Sequence, residues 1–130
     1  MSAMGEKQKV MIVDDDRDLI DTTKAILEAS GYEVAVAYDG PECLEKVAGV
    51  SPDLIIMDLM MGSYTEGLDT IKKLQEDPTV GKTPMILMTS VDMRSPIGGG
   101  MEETLPVEHY LVKPVDPAEL IKTVQKCLER

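Results

Sequence analysis

The sequence predicts a doubly wound α/β fold, in which helices cover both faces of a five-stranded parallel sheet. Three observations predict it. Short apolar runs recur (Val10-Met11-Ile12-Val13, Leu54-Ile55-Ile56-Met57, Met85-Ile86-Leu87-Met88) without the polar alternation of a half-exposed strand, which fits strands buried on both faces. Segments with helical spacing lie between them, and a strand–helix alternation implies parallel pairing through right-handed crossovers. The runs also end on polar residues, and the carboxyl ends of such strands are where ligands bind in open α/β sheets.

The elements follow in order. Strand one is Val10 to Val13, ending on Asp14-Asp15-Asp16. Leu19, Ile20, Thr23, Ile26 and Leu27 then mark one face of a helix. Asp16 or Asp18 can cap its start and Gly31 its end. Glu33 to Ala37 is strand two. Asp39-Gly40-Pro41 turns into a helix with Cys43, Leu44 and Val47 inward, ending near Gly49. The third strand follows Pro52 and ends on Asp58. Gly62 to Gly67 reads as a loop, followed by a helix with Leu68, Ile71 and Leu74 on one face, closed by Asp77-Pro78. Strand four, Met85 to Met88, ends on Thr89-Ser90. Val91 to Leu105 holds Pro96 and three consecutive glycines, which make a full helix there costly at about 1 kcal/mol for each interior glycine, so a short helix or a loop is expected. Val107 to Val112 is strand five, ending on Lys113-Pro114. Asp116-Pro117 caps a last helix with Leu120, Ile121, Val124 and Leu128 inward.

The 130 residues suit one domain, with residues 1–8 as a tail and no room for an output module. Thirteen basic against twenty-four acidic residues leave a net charge of −11, without the basic footprint of a nucleic-acid binder. No apolar run approaches a membrane span of roughly 20 residues, and no secretory signal opens the chain. Cys43 and Cys127 have no metal-ligand spacing and read as reduced structural thiols of a cytoplasmic protein. The ten methionines read mostly as core filler.

Four of the five strand ends carry polar residues: Asp14 and Asp15, Asp58, Thr89, Lys113. Alone, Asp58 could simply cap a turn; together these residues make a site. Three carboxylates in one cleft resist ionising together, and a hard divalent cation such as Mg²⁺, which takes oxygen ligands, removes that cost. A carboxylate beside Mg²⁺ and an ammonium can attack a phosphoryl group, whose oxygens the metal, Lys113 and Thr89 then hold. Asp16 reads as a helix cap rather than a ligand, and His109 as a solvent-facing residue at a strand edge.

Val-Asp-Asp after the first strand, Met-Asp ending the third, Pro-Met-Ile-Leu-Met-Thr-Ser on the fourth and Tyr-Leu-Val-Lys-Pro on the fifth resemble a two-component response-regulator receiver domain over nearly the whole chain. The resemblance implies a flavodoxin-like strand order, 2-1-3-4-5. It implies Asp58 as phosphoacceptor, supplied by a histidine kinase or phosphotransfer protein. It implies Mg²⁺ on Asp15 and Asp58, with Asp14 acting through water and the Met60 backbone carbonyl as a further ligand. Thr89 and Lys113 would grip the phosphoryl group. Tyr110 would turn inward when Thr89 is drawn to the phosphate, or else be a rim tyrosine without a switching role. The Lys113-Pro114 bond would be cis.

Two regions depart from the family pattern. Gly62 stands where a proline is usual, in a loop one residue longer, so the loop that presents Met60 is expected to be more mobile than the family's. The glycine-rich Val91–Leu105 stretch replaces a regular fourth helix and is expected to order on phosphorylation or partner binding. By the family's geometry Met60 and Val91 flank the path of a hydrolytic water, and neither can orient one, so slow self-dephosphorylation is expected.

The reading is a stand-alone receiver, a monomer or weak dimer. It would pass its signal to a downstream protein or relay the phosphoryl group, without binding DNA or membranes. It would not be a dedicated enzyme beyond its own phosphorylation and slow hydrolysis. The alternative is a small Mg²⁺-dependent phosphohydrolase with an Asp nucleophile. Such enzymes usually carry a second Asp two residues on, where this chain has Met60. A flavodoxin-like nucleotide binder is a third option, but no glycine-rich phosphate loop follows the first strand.

Overall fold

A computed structural model describes residues 7–58, 64–89 and 109–128. Five strands, β1 (Lys9–Val13), β2 (Glu33–Ala37), β3 (Leu54–Met57), β4 (Met85–Thr89) and β5 (His109–Val112), form one parallel sheet in the order β2-β1-β3-β4-β5. Four described helices accompany them: α1 (Arg17–Ala29), α2 (Gly40–Val50), α3 (Tyr64–Glu76) and α4 (Pro117–Leu128).

The pleat sorts the core into two layers, because successive strand residues face opposite sides. Val10, Ile12, Leu54, Ile56, Ile86 and Met88 pack with Ile20 and Leu27 of α1 and with Leu120, Val124 and Cys127 of α4. Met11, Val13, Ile55, Met57, Met85 and Leu87 pack with Cys43 and Val47 of α2 and with Ile71 and Leu74 of α3. Strands β1 and β3, between neighbours and between layers, are buried almost end to end. That is why they read as unbroken apolar runs.

The termini of α1 follow their sequence signals. Asp16 accepts from the Leu19 N–H at the start. At the end Gly31 takes φ 97°, donates to Glu28 and lets Tyr32 donate to Leu27, a double closure that suits a residue without Cβ. Asp39 caps α2 through the Glu42 N–H, and Asp116 caps α4 through the Glu119 N–H.

Three expectations are corrected. Helix α3 starts at Tyr64, so Tyr64 to Gly67 is helix rather than loop. Interior glycine weakens a helix but does not forbid one whose apolar face is buried. Of the expected tail, residues 1–6 lie outside the described residues, whereas the Gln8 carbonyl already accepts from the Glu33 N–H and Lys9 begins β1. His109 is half-buried rather than turned to solvent. The expected short helix or loop at residues 91–105, and residues 107–108 of the fifth strand, lie outside the described residues.

Candidate functional site: an acidic notch at the strand ends

Parallel pairing puts the carboxyl ends of all five strands on one edge of the sheet. Register then decides which residues meet there. Val13 pairs with Met57, and the Asp58 N–H donates to the Val13 carbonyl at 2.9 Å, so Asp14 and Asp58 leave neighbouring strands side by side. The Asp14 N–H donates to the Ala37 carbonyl at 3.1 Å, which holds the turn after β1 against β2. On the other side Thr89 pairs with Val112, which delivers Lys113 next.

The side chains converge. Lys113 Nζ donates to Asp14 Oδ2 at 2.9 Å and to Asp58 Oδ2 at 3.1 Å, across 99 and 55 residues of chain. Asp14 is only 1% exposed and Asp58 only 6%. The other oxygen of Asp14, Oδ1, accepts from the Asp16 N–H at 2.9 Å. Asp15 is the exposed member of the group. One carboxylate oxygen from each of Asp14, Asp15 and Asp58 lies within 4.8 Å of the others, a spacing and an all-oxygen donor set that fit a hard divalent cation. The Lys113–Pro114 peptide is cis, as expected.

The electrostatics follow from this geometry. Burial raises the pKa of Asp14 above its ordinary value of 3.8, and the Asp58 charge adds to that, against the pull of the Asp16 N–H and Lys113. Burial pushes Lys113 down, but its hydrogen bonds and attraction to Asp14 and Asp58 win, and its pKa rises above 10.5. The notch therefore holds a stable ammonium shared by two carboxylates.

Other predicted residues divide into two groups. Tyr110 is half-buried on β5, packed against the α2–α3 layer, and pairs with Leu87 in register. Thr89 ends β4, but the roles foreseen for its side chain lie outside the described residues, as do those of Met60 and Val91. A groove of about 420 Å³ lies between β5 and α4, lined by His109, Glu119, Lys122 and Lys126. It contains no converging carboxylates, so chemistry favours the notch.

Two features escaped sequence reasoning. The direct grip of Lys113 on Asp14 was not foreseen. Nor was the stacking of the Arg17 guanidinium over the Tyr38 ring, 3.9 Å from its centre. Both pairs are remote in sequence and leave no periodic signal.

The model of the response regulator receiver domain matches residues 10–125. The chain belongs to this family. Receiver domains are signalling modules of two-component systems, and this receiver domain has many relatives. It is 34% identical over 117 residues to the response regulator PleD of Caulobacter vibrioides, covering 90% of this chain and 25% of that one. It is 35% identical over 122 residues to the transcriptional regulatory protein CpxR of Escherichia coli, covering 94% and 50%. The chain thus spans half or less of these two relatives. Among solved structures, the chemotaxis protein CheY4 of Vibrio cholerae superposes with a TM-score of 0.84 at 31% identity, covering 95% of this chain and 100% of that chain. A CheY-like receiver domain protein of Methanospirillum hungatei does so with a TM-score of 0.82 at 27% identity, covering 95% of each. No described helix is long and apolar enough to cross a membrane.

Proposed function

We propose that this receiver domain accepts a phosphoryl group on Asp58 and signals by changing its protein contacts. The observation that carries the proposal is Lys113 Nζ bonded at once to Asp14 and Asp58 beside the exposed Asp15. An acceptor carboxylate needs its charge held, and the phosphoryl oxygens need a cation waiting for them.

In this reading Asp15 and Asp58 hold Mg²⁺, the Met60 carbonyl adds a ligand, and Asp14 acts through water. When bound, the ion neutralises phosphoryl charge in the transition state. Asp58 supplies the attacking oxygen. Its burial, at 6% exposure, limits competing water. The bond from phosphorus to the donor's leaving atom breaks as the bond to the Asp58 oxygen forms. Lys113 exchanges its contact with the Asp58 carboxylate for one with a phosphoryl oxygen and keeps Asp14. Thr89 binds another phosphoryl oxygen, and Tyr110 turns inward behind it. The donor is a histidine kinase or phosphotransfer protein, the output a downstream protein or a relay step, the setting cytoplasmic, and the unit one domain over residues 1–130. Apolar Met60 and Val91 beside the hydrolytic path make the aspartyl-phosphate long-lived.

The test is acetyl phosphate with Mg²⁺, read by intact mass. One phosphoryl group per chain should appear, be absent in Asp58→Asn and in chelator, and persist for minutes or longer. Labelling that survives Asp58→Asn would refute the acceptor assignment. A half-life of seconds would refute the role given to Met60 and Val91. Turnover of generic phosphate esters would favour a phosphohydrolase instead.

A further inference from the structure

We infer that Arg17 and Tyr38 are positioning residues for the metal side of the notch, setting the backbone that presents Asp15. The inference rests on the Mg²⁺ reading above. Neither residue is placed in contact with the ion or the phosphoryl group.

Asp15 sits between two anchored neighbours. Asp14 is tied on one side, its N–H to Ala37, its carboxylate to the Asp16 N–H and to Lys113. On the other side α1 begins at Arg17, whose guanidinium lies 3.9 Å from the centre of the Tyr38 ring. That ring is a firm shelf. It is half-buried against the α1–α4 layer. Its backbone N–H donates to Glu42 Oε1 at 2.9 Å. Glu42 is held in turn by Lys46 at 2.6 Å, and Lys46 donates to the Val36 carbonyl at 3.1 Å. Arg17 therefore straps the turn after β1 to the turn after β2. With Asp14 fixed on one side and Arg17 on the other, the intervening exposed Asp15 has little backbone freedom. A ligand held in place before the ion arrives does not lose that freedom on binding, so the strap raises metal affinity without touching the metal.

The charge of Arg17 acts the other way. A cation two residues from Asp15 repels Mg²⁺, so if Arg17 were only a nearby charge, its removal would tighten binding. The strap predicts the opposite sign.

Mg²⁺ titration by calorimetry on the full chain decides, with metal-free melting temperature as the check on folding. Tyr38→Leu removes the aromatic shelf and should weaken Mg²⁺ about tenfold, whereas Tyr38→Phe, which keeps a ring for the cation, should stay within about twofold of wild type. Arg17→Gln, at an exposed position where folding is not at risk, should also weaken binding, with Arg17→Lys recovering part of the loss. Tighter or unchanged Mg²⁺ binding in Arg17→Gln overturns the inference even if Tyr38→Leu fails to fold. A wild-type chain with no Mg²⁺ binding that Asp15→Asn abolishes overturns the metal reading itself, and the inference with it.

Discussion

Lys113 is a counter-ion shared by two buried carboxylates, so its loss exposes what the notch costs. Lys113→Met leaves Asp14 and Asp58 facing each other without a cation. Removing one partner of a buried pair is destabilising by about 3–5 kcal/mol, and the partial exposure of this site reduces that to about 2–4 kcal/mol near pH 7. The pH dependence has a definite sign. Lys113 has a raised folded pKa, so its stabilisation is fully present below pH 10.5 and is lost as pH rises through the folded value. Asp14 is an acid with a raised folded pKa, so its ionised form costs stability that is absent below 3.8 and appears as pH rises through the folded value. Urea denaturation of metal-free Lys113→Met should show the deficit shrinking as pH falls to about 4, because Asp14 is then increasingly protonated. A deficit equal at both pH values would mean that the lysine acts by packing alone.

At the scale of elements, α2 and α3 share one face of the sheet and meet closely at Gly40. A Cβ at that position would collide with the Thr70 hydroxyl, and Thr70 is itself buried. Gly40→Ala should therefore push the two helices apart and cost about 1–3 kcal/mol, the usual range for overpacking. The double variant Gly40→Ala/Thr70→Ala removes the colliding atom and should recover part of the loss, with a coupling measurable in a thermodynamic cycle. Strict additivity of the two single changes would rule out this contact as the cause. The same helix pair carries the lesson of α3. Sequence spacing located its apolar face at Ile71 and Leu74, but two glycines pointed to a loop where the helix has already begun. Packing against α2 and the sheet outweighs the propensity of one glycine.

At the scale of the whole molecule, each layer contains one buried cysteine: Cys43 on the α2–α3 side and Cys127 on the α1–α4 side. Burial pushes the Cys43 thiol up to about 12, far from the reactive thiolate. The pair can therefore report on the two layers separately. With an aromatic disulfide reagent near pH 8, both should label only as fast as the chain opens, and both should slow together when Mg²⁺ stabilises the fold. Rapid labelling of either in the folded chain would contradict the burial.

Much of this protein was legible in the residues themselves. The strands buried on both faces announced themselves because a parallel sheet between two helical layers leaves no polar side chain along β3, or along β1 beyond its first residue Lys9, and β2 is delimited as read, Glu33 to Ala37. Caps at Asp16 and Asp116 were visible because a short side-chain acceptor followed by helical spacing is a local signal, whereas Asp39, read only as part of a turn, also caps its helix. The polar ends of the strands marked where a site would form. Tertiary structure alone decided which side chains touch. Strand register set Asp14 beside Asp58, the pairing of β5 with β4 brought Lys113 onto both, and Arg17 found Tyr38 across a turn. Contacts between residues up to 99 positions apart depend on how strands align and how turns bend, and no window of neighbouring residues contains that information.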